Sequence, residues 1–289
     1  MVAPSLLVTI PHFFNPEGSG KHGSTHPNPD ARIRALRTAI LNLWQHLGPT
    51  SAVLSHAQNK AILAGPEHLK LSIVVVTTQG KHLVDRLDLP KSLFTHREVE
   101  VADPMYLGFE CHRILAEEID QHSWFGFTED DLVVHDPLLL KKIGWFTDTF
   151  GERMVLQPNR YEWGVGGQVG RFYIDGPIQP SMTAPYLDPT APARVGAPGH
   201  GGLLSFSRAA NPHSGAFFLR QAQMRRWIEA PWFLDRDPSF AGPLESAATL
   251  GLLKTFSVYK TDAGCSDFLQ IEHAARWFIG LIGGRIPLG

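Results

Sequence analysis

Cysteine is nearly absent: Cys111 and Cys265 are the only two in the chain. There is no CxxC pair, so neither a cysteine zinc site nor thiol redox chemistry is suggested. One disulfide could form, but nothing in the spacing asks for it, and a reducing compartment is the simpler setting. Long hydrophobic runs are missing too. The N-terminal run Leu6 to Ile10 is too short for a signal segment or a membrane span, and no basic residue precedes it. An excess of one charge sign is also lacking. Lysine and arginine total 26 against 28 acidic residues, so no basic field draws the chain onto nucleic acid or an anionic membrane. These absences lead us to expect a cytoplasmic protein with no transmembrane segment. Peripheral contact with a membrane stays open, and local basic clusters stay able to bind phosphates.

What is present suits a large core. Hydrophobic residues make up 43% of the 289 positions and charged residues 19%, which excludes global disorder. The run Leu6–Ile10, closed by Pro11, reads as a first buried strand. The polar, glycine- and proline-bearing stretch from Asn15 to Asp30 reads as a functional loop. From Asp30 to about His46 the apolar residues Ile33, Leu36, Ile40, Leu43 and Trp44 recur at the helical period. Leu71 to Thr77 is the strongest central strand, and Thr95 to Val101 reads as another. Asp103-Pro104 and Asp136-Pro137 each pair a capping acid with a first-turn proline, predicting helices to Glu118 and to about Phe150. Between them, Trp124 to Phe127 is a short aromatic strand. Strands and helices alternate through the first 150 residues or so, which predicts an open, mostly parallel sheet flanked by helices. Beyond residue 155 the pattern changes: a proline- and glycine-rich span runs from Gly176 to Gly202. Ser207 to Ala230 reads as helix-like and Leu244 to Thr255 as a further helix. We take this as a change of role within one domain.

The most informative feature is Glu129-Asp130-Asp131. Three consecutive acids repel one another, yet here they follow Trp124-Phe125-Gly126-Phe127 and precede Leu132-Val133-Val134. Carboxylates at the end of a buried strand need a compensating charge, and hard oxygen ligands suit magnesium or manganese. The carboxyl ends of strands are also where open α/β sheets place ligands. The plain alternative is a solvated turn with an acidic cap for the helix at Asp136.

The stretch from Phe125 to Val134 resembles the DxD-type motif of GT-A glycosyltransferases in its EDD form. The resemblance implies a metal-dependent transferase moving a sugar from a nucleotide-sugar donor to an acceptor hydroxyl. It implies Asp131 as the ligand of a divalent cation (manganese or magnesium), with Glu129 and Asp130 supporting the donor. It also implies a single domain over residues 1–289, with a nucleotide-sugar-binding half (1–155) and a helix- and loop-rich acceptor half (156–289). In Gly242-Pro243-Leu244-Glu245, an acid opens a helix. That position is favoured by the helix dipole alone, but it also resembles the catalytic base of inverting enzymes of this fold. Glu245 is therefore the candidate base, and its rivals are Asp235 and Asp237. Phe268 to His273 resembles the segment that supplies a late metal-ligating histidine, here His273, against a structural role. Arg32, Arg34 and Arg37 follow the loop after the first strand. Arginine's fork suits a diphosphate, and a solvated helix face is the alternative reading. Trp163-Gly164-Val165-Gly166-Gly167 and Pro198-Gly199-His200-Gly201-Gly202 read as flexible acceptor-site loops. Two other functions stay open. One is a glycoside hydrolase using Glu129 and Glu245 as a carboxylate pair. The other is a non-catalytic carbohydrate-binding protein, for which seven tryptophans could build sugar platforms.

Overall fold

A computed structural model of the chain describes residues 4–18, 28–48, 52–63, 69–164, 170–199 and 201–282. The first half holds β1 (Ser5–Pro11), α1 (Pro29–Leu47), β2 (Ala52–Ser55), β3 (Lys60–Leu63), β4 (Lys70–Thr78), β5 (Thr95–Val99), α2 (Leu107–Glu117), β6 (Trp124–Thr128), β7 (Leu132–Val133) and α3 (Leu139–Phe150). The second half holds β8 (Met154–Leu156), β9 (Asn159–Gly164), β10 (Gly170–Tyr173), β11 (Arg194–Gly199), β12 (Gly202–Arg208), β13 (Ala216–Arg220), α4 (Gln221–Ile228), α5 (Pro243–Thr255), β14 (Ser257–Thr261) and β15 (Gln270–His273).

The central sheet runs β13-β6-β1-β4-β5. β6, β1, β4 and β5 are parallel, and β13 pairs antiparallel with β6. The expected mostly parallel sheet is therefore present. Its faces follow the two-residue period of a strand. Leu6, Val8 and Ile10 pack with Leu36, Ile40 and Leu43 of α1 and with Ile143 and Phe146 of α3. Leu7, Phe125, Phe127 and Phe217 face the opposite way, onto Ile114 of α2, Trp227 of α4 and Leu250 of α5. Burial on both faces explains why these strands read as continuous apolar runs. Local signals fix the helix starts. Asn28 accepts from the Asp30 amide and Pro29 sits in the first turn of α1. Asp103 caps a 3-10 turn, Pro104–Tyr106, that leads into α2. Asp136 accepts from Leu138, and α3 begins one residue later.

The second half corrects two expectations. Ser207 to Ala230 is not one helix: Ser207 and Arg208 end β12, Ala216–Arg220 form β13, and only Gln221–Ile228 are helical. Ala216, Phe217, Phe218 and Leu219 are buried on both sides of the sheet, and such a run satisfies helical and interior-strand patterns alike. Gly215, at φ +59°, turns the chain into that strand. Nor is the half helix-rich. It carries most of two four-stranded sheets, β10-β9-β15-β7 and β11-β12-β14-β8. The polar stretch from Asn15 to Asp30 lies outside the described residues over 19–27, and so do 165–169 and His200 of the two glycine-rich segments. Pro198-Gly199 and Gly201-Gly202 close the β11–β12 hairpin. No helix among the described residues is long and apolar enough to cross a membrane.

Candidate active site

β6 ends at Thr128, and the next three residues are the acids. They stand at the carboxyl edge of the parallel sheet, between α1 on one side and the β9–β15 pair on the other. Each acid has a different environment.

Asp130 is locked. It is 6% exposed and accepts from Nδ1 of His12 at 2.6 Å and from Arg32 of α1 at 2.5 Å. His12 follows β1, and its Nε2 accepts from the Leu83 amide at 3.1 Å, which leaves the proton on Nδ1 for Asp130. Burial opposes ionisation of Asp130, but Arg32 and His12 outweigh it and hold its pKa below the usual carboxylate range. Burial likewise works against the charge on Arg32, and Asp130 and Asp131 more than restore it.

Asp131 is only partly engaged. Its Oδ2 lies 3.4 Å from Arg32 and 3.7 Å from Nε2 of His273, while its backbone carbonyl accepts from Ala274 at 2.8 Å. The antiparallel pairing of β7 with β15, with His273 opposite Leu132, brings these residues together. Nδ1 of His273 donates to Glu162 at 2.6 Å, so the free nitrogen is the one aimed at Asp131. Burial lowers the pKa of His273, but the Glu162 hydrogen bond and Asp131 raise it above its ordinary value. Glu162 is fully buried and also accepts from the amides of Phe278 and Ile279.

Glu129 faces the second half. Its amide donates to the Gly215 carbonyl at 2.9 Å, and its carboxylate lies 3.6 Å from Arg160 and 3.7 Å from His213. A side chain at position 215 would start 2.4 Å from that carboxylate, so the close approach requires glycine there. Burial pushes Glu129 up to about 7, with Asp131 and Glu245 adding to the shift and Arg160 opposing it. Glu245 is therefore within electrostatic reach of the triplet. It stands in the first turn of α5 and has no hydrogen bond or ion pair among the described residues. Arg160 is itself held by Asp175 at 2.8 Å, and Asp175 is shared with Lys260 at 2.9 Å.

Thus Glu129, Asp130, Asp131, His273 and Glu245 gather in one region. Arg34 and Arg37 do not join them: both are exposed on α1 with no partner among the described residues, and Arg32 alone of the three reaches the acids. Asp235 and Asp237 pair with Lys254 at 2.7 Å each. Sequence reading missed His12, Arg160, Glu162 and His213. Arg160 and Glu162 left only the alternation with Tyr161 and Trp163 along β9, which sets them on one face of the strand and by itself reads as a solvated face. No protein-family model matches the chain, and no curated protein is significantly similar to it.

Proposed function

We propose that the protein is a metal-dependent glycosyltransferase acting on a nucleotide-sugar donor and an acceptor hydroxyl. The observation that carries this reading is the convergence of Asp131 and His273 at the carboxyl edge of a parallel sheet, with Arg32 beside them and Glu245, unpaired among the described residues, within electrostatic reach of Glu129.

The donor set fits the implied cation. Among the described residues no three histidine, cysteine or acidic side chains gather to hold a metal alone. Magnesium and manganese do not need such a cage, because they keep waters and take further oxygens from substrate phosphates. Asp131 and His273 supply one oxygen and one nitrogen, and Glu162 fixes the ring in the orientation that frees Nε2. A cation held there would neutralise the charge building on the departing diphosphate. Arg32 adds a fixed positive charge on the same side. Asp130, saturated by His12 and Arg32, holds the triplet in position. Glu245 accepts the proton of the acceptor hydroxyl as that oxygen attacks the anomeric carbon on the face opposite the diphosphate, whose bond to that carbon breaks, and this single displacement inverts the centre.

A melting screen with nucleoside diphosphates, with and without manganese, tests this reading. Nucleotide at a hundredfold excess over its Kd should stabilise the protein by about 2.7 kcal/mol, with metal only. The shift should vanish in Asp131→Ala. A shift indifferent to metal, or none with any nucleotide, sinks the proposal. A second reading draws on Glu129. A carboxyl group with a pKa of about 7 suits a general acid, and with Glu245 as its partner it would serve a glycoside hydrolase. That enzyme would cleave glycosides with no nucleotide or metal present.

A further inference from the structure

The sheet β10-β9-β15-β7 has two faces with different chemistry. Arg160, Glu162 and His273 point to the acid triplet. Tyr161, Trp163 and Gln270 alternate with them and so lie on the reverse face. Antiparallel pairing sets Tyr173 opposite Tyr161 and Arg171 opposite Trp163, which extends that reverse face onto β10.

The result is an aromatic surface. Trp163 is 37% exposed and Tyr173 40%. Their rings flank Tyr161 at centroid distances of 5.8 and 6.4 Å, and the Arg171 guanidinium lies 5.6 Å from the Trp163 ring. Gln270 Oε1 accepts from the Tyr173 hydroxyl at 2.9 Å and from Arg171 at 3.1 Å. The amide is thereby oriented, and its nitrogen keeps both donors uncommitted among the described residues. Beside these residues is a cleft of about 190 Å³ that includes Tyr161, Gln270 and Asp267 in its lining. Asp267 is exposed and has no ion pair or hydrogen bond among the described residues. The cleft is smaller than the roughly 300–1,000 Å³ of sites for drug-sized ligands, which matches a single ring better than a nucleotide.

Charge narrows the ligand further. Lys142 is paired with Asp136 at 2.7 Å and His135 with Glu272 at 2.6 Å. Arg171 and Asp267 then offset each other, so the face offers no net positive field to a polyanion. Exposed aromatic rings beside an oriented amide and a free carboxylate match a neutral molecule with one apolar face and several hydroxyls. We propose that this face is a second saccharide-binding surface, separate from the transfer site. A neutral oligosaccharide would stack the C–H face of one residue on the Trp163 ring, run past Tyr173, and place a neighbouring residue in the cleft, where its hydroxyls hydrogen-bond to Gln270 and Asp267. The proposal does not rest on the transferase reading, because binding here needs neither donor nor metal.

The test is binding to an immobilised panel of neutral gluco-, manno-, galacto- and chito-oligosaccharides, without nucleotide and in chelator. At least one class should bind the wild type and Asp131→Ala equally. Trp163→Ala should weaken that binding roughly tenfold, the loss expected for one aromatic stack. Trp163→Phe should weaken it less, and Gln270→Ala should also weaken it. These two variants decide the matter if Trp163→Ala does not fold. The proposal is overturned if no oligosaccharide binds, if binding is indifferent to Trp163 and Gln270, or if it is lost in Asp131→Ala. It is equally overturned if a single-stranded oligonucleotide is the ligand that depends on Trp163.

Discussion

The two sides of the acid triplet differ in how completely their polar groups are used. Toward α1, Asp130 is closed off by contacts of 2.5 and 2.6 Å, and both its carboxylate oxygens are engaged. Toward the second half, the Glu129 carboxylate faces Arg160 and His213, and Asp131 faces Nε2 of His273, at 3.6 to 3.7 Å; Glu162 holds only the other nitrogen of that ring, and Glu245 has no partner among the described residues. A buried ion pair at hydrogen-bonding distance fixes position. Charges held just beyond that distance remain free to take a ligand. The contrast assigns placement to one side and chemistry to the other, although the three acids are adjacent in the chain.

Asp130→Ala tests the placement side most severely. It strands Arg32 and His12 in the interior, so denaturant unfolding should reveal a loss of about 3–5 kcal/mol. Asp131→Ala, one residue on, should change stability by less than about 1 kcal/mol, and equal losses in the two variants would erase the distinction. On the chemical side, Glu245→Gln keeps size and most hydrogen bonding but cannot take a proton. Turnover should fall about a hundred- to ten-thousandfold with donor affinity unchanged. Were Glu245 only a helix-start residue, turnover would survive and melting alone would shift, by roughly 1 kcal/mol or less.

The third prediction probes the core under α5, which carries Glu245. Burial lowers the pKa of His112 to about 4, while its hydrogen bond to the Ala247 carbonyl opposes the shift. The folded state therefore favours the neutral ring. That contribution is fully present above the unfolded value near 6.5 and disappears as the pH falls through 4, about 3 kcal/mol in all. Unfolding measured from pH 7 to 4 should show this loss in the wild type and much less of it in His112→Gln. The smallest effect concerns Glu162. Glu162→Gln should weaken manganese binding about ten- to a hundredfold by loosening His273, measured by calorimetry with nucleotide present. Unchanged affinity would remove Glu162 from any role in orienting that ring.

The first half was legible because its signals are local: β-branched runs, proline-marked caps and an acid run after an aromatic strand each act within a few residues. The acid triplet, Glu245 and His273 could be selected from sequence for the same reason. Their environments could not. The hydrogen bond from His12 to Asp130 spans 118 positions and the ion pair of Arg160 with Glu129 depends on a strand of a second sheet, so neither leaves a mark at the other's position. The mistaken helix over Ser207 to Ala230 has a related cause. Four consecutive buried residues specify burial without specifying period, and only pairing with β6 makes Ala216 to Leu219 a strand.

That pairing has a consequence for how the protein is made. β6 is an aromatic strand whose outer edge is covered only when β13 arrives. The roughly ninety residues between Thr128 and Ala216 take about 5–20 seconds to synthesise at 5–20 residues per second. For that interval the nascent chain carries Trp124-Phe125-Gly126-Phe127 with an open backbone edge, the arrangement most prone to pairing with a neighbouring chain. Slowing elongation across residues 130–215 should therefore lower the soluble yield, and slowing it after residue 220 should not.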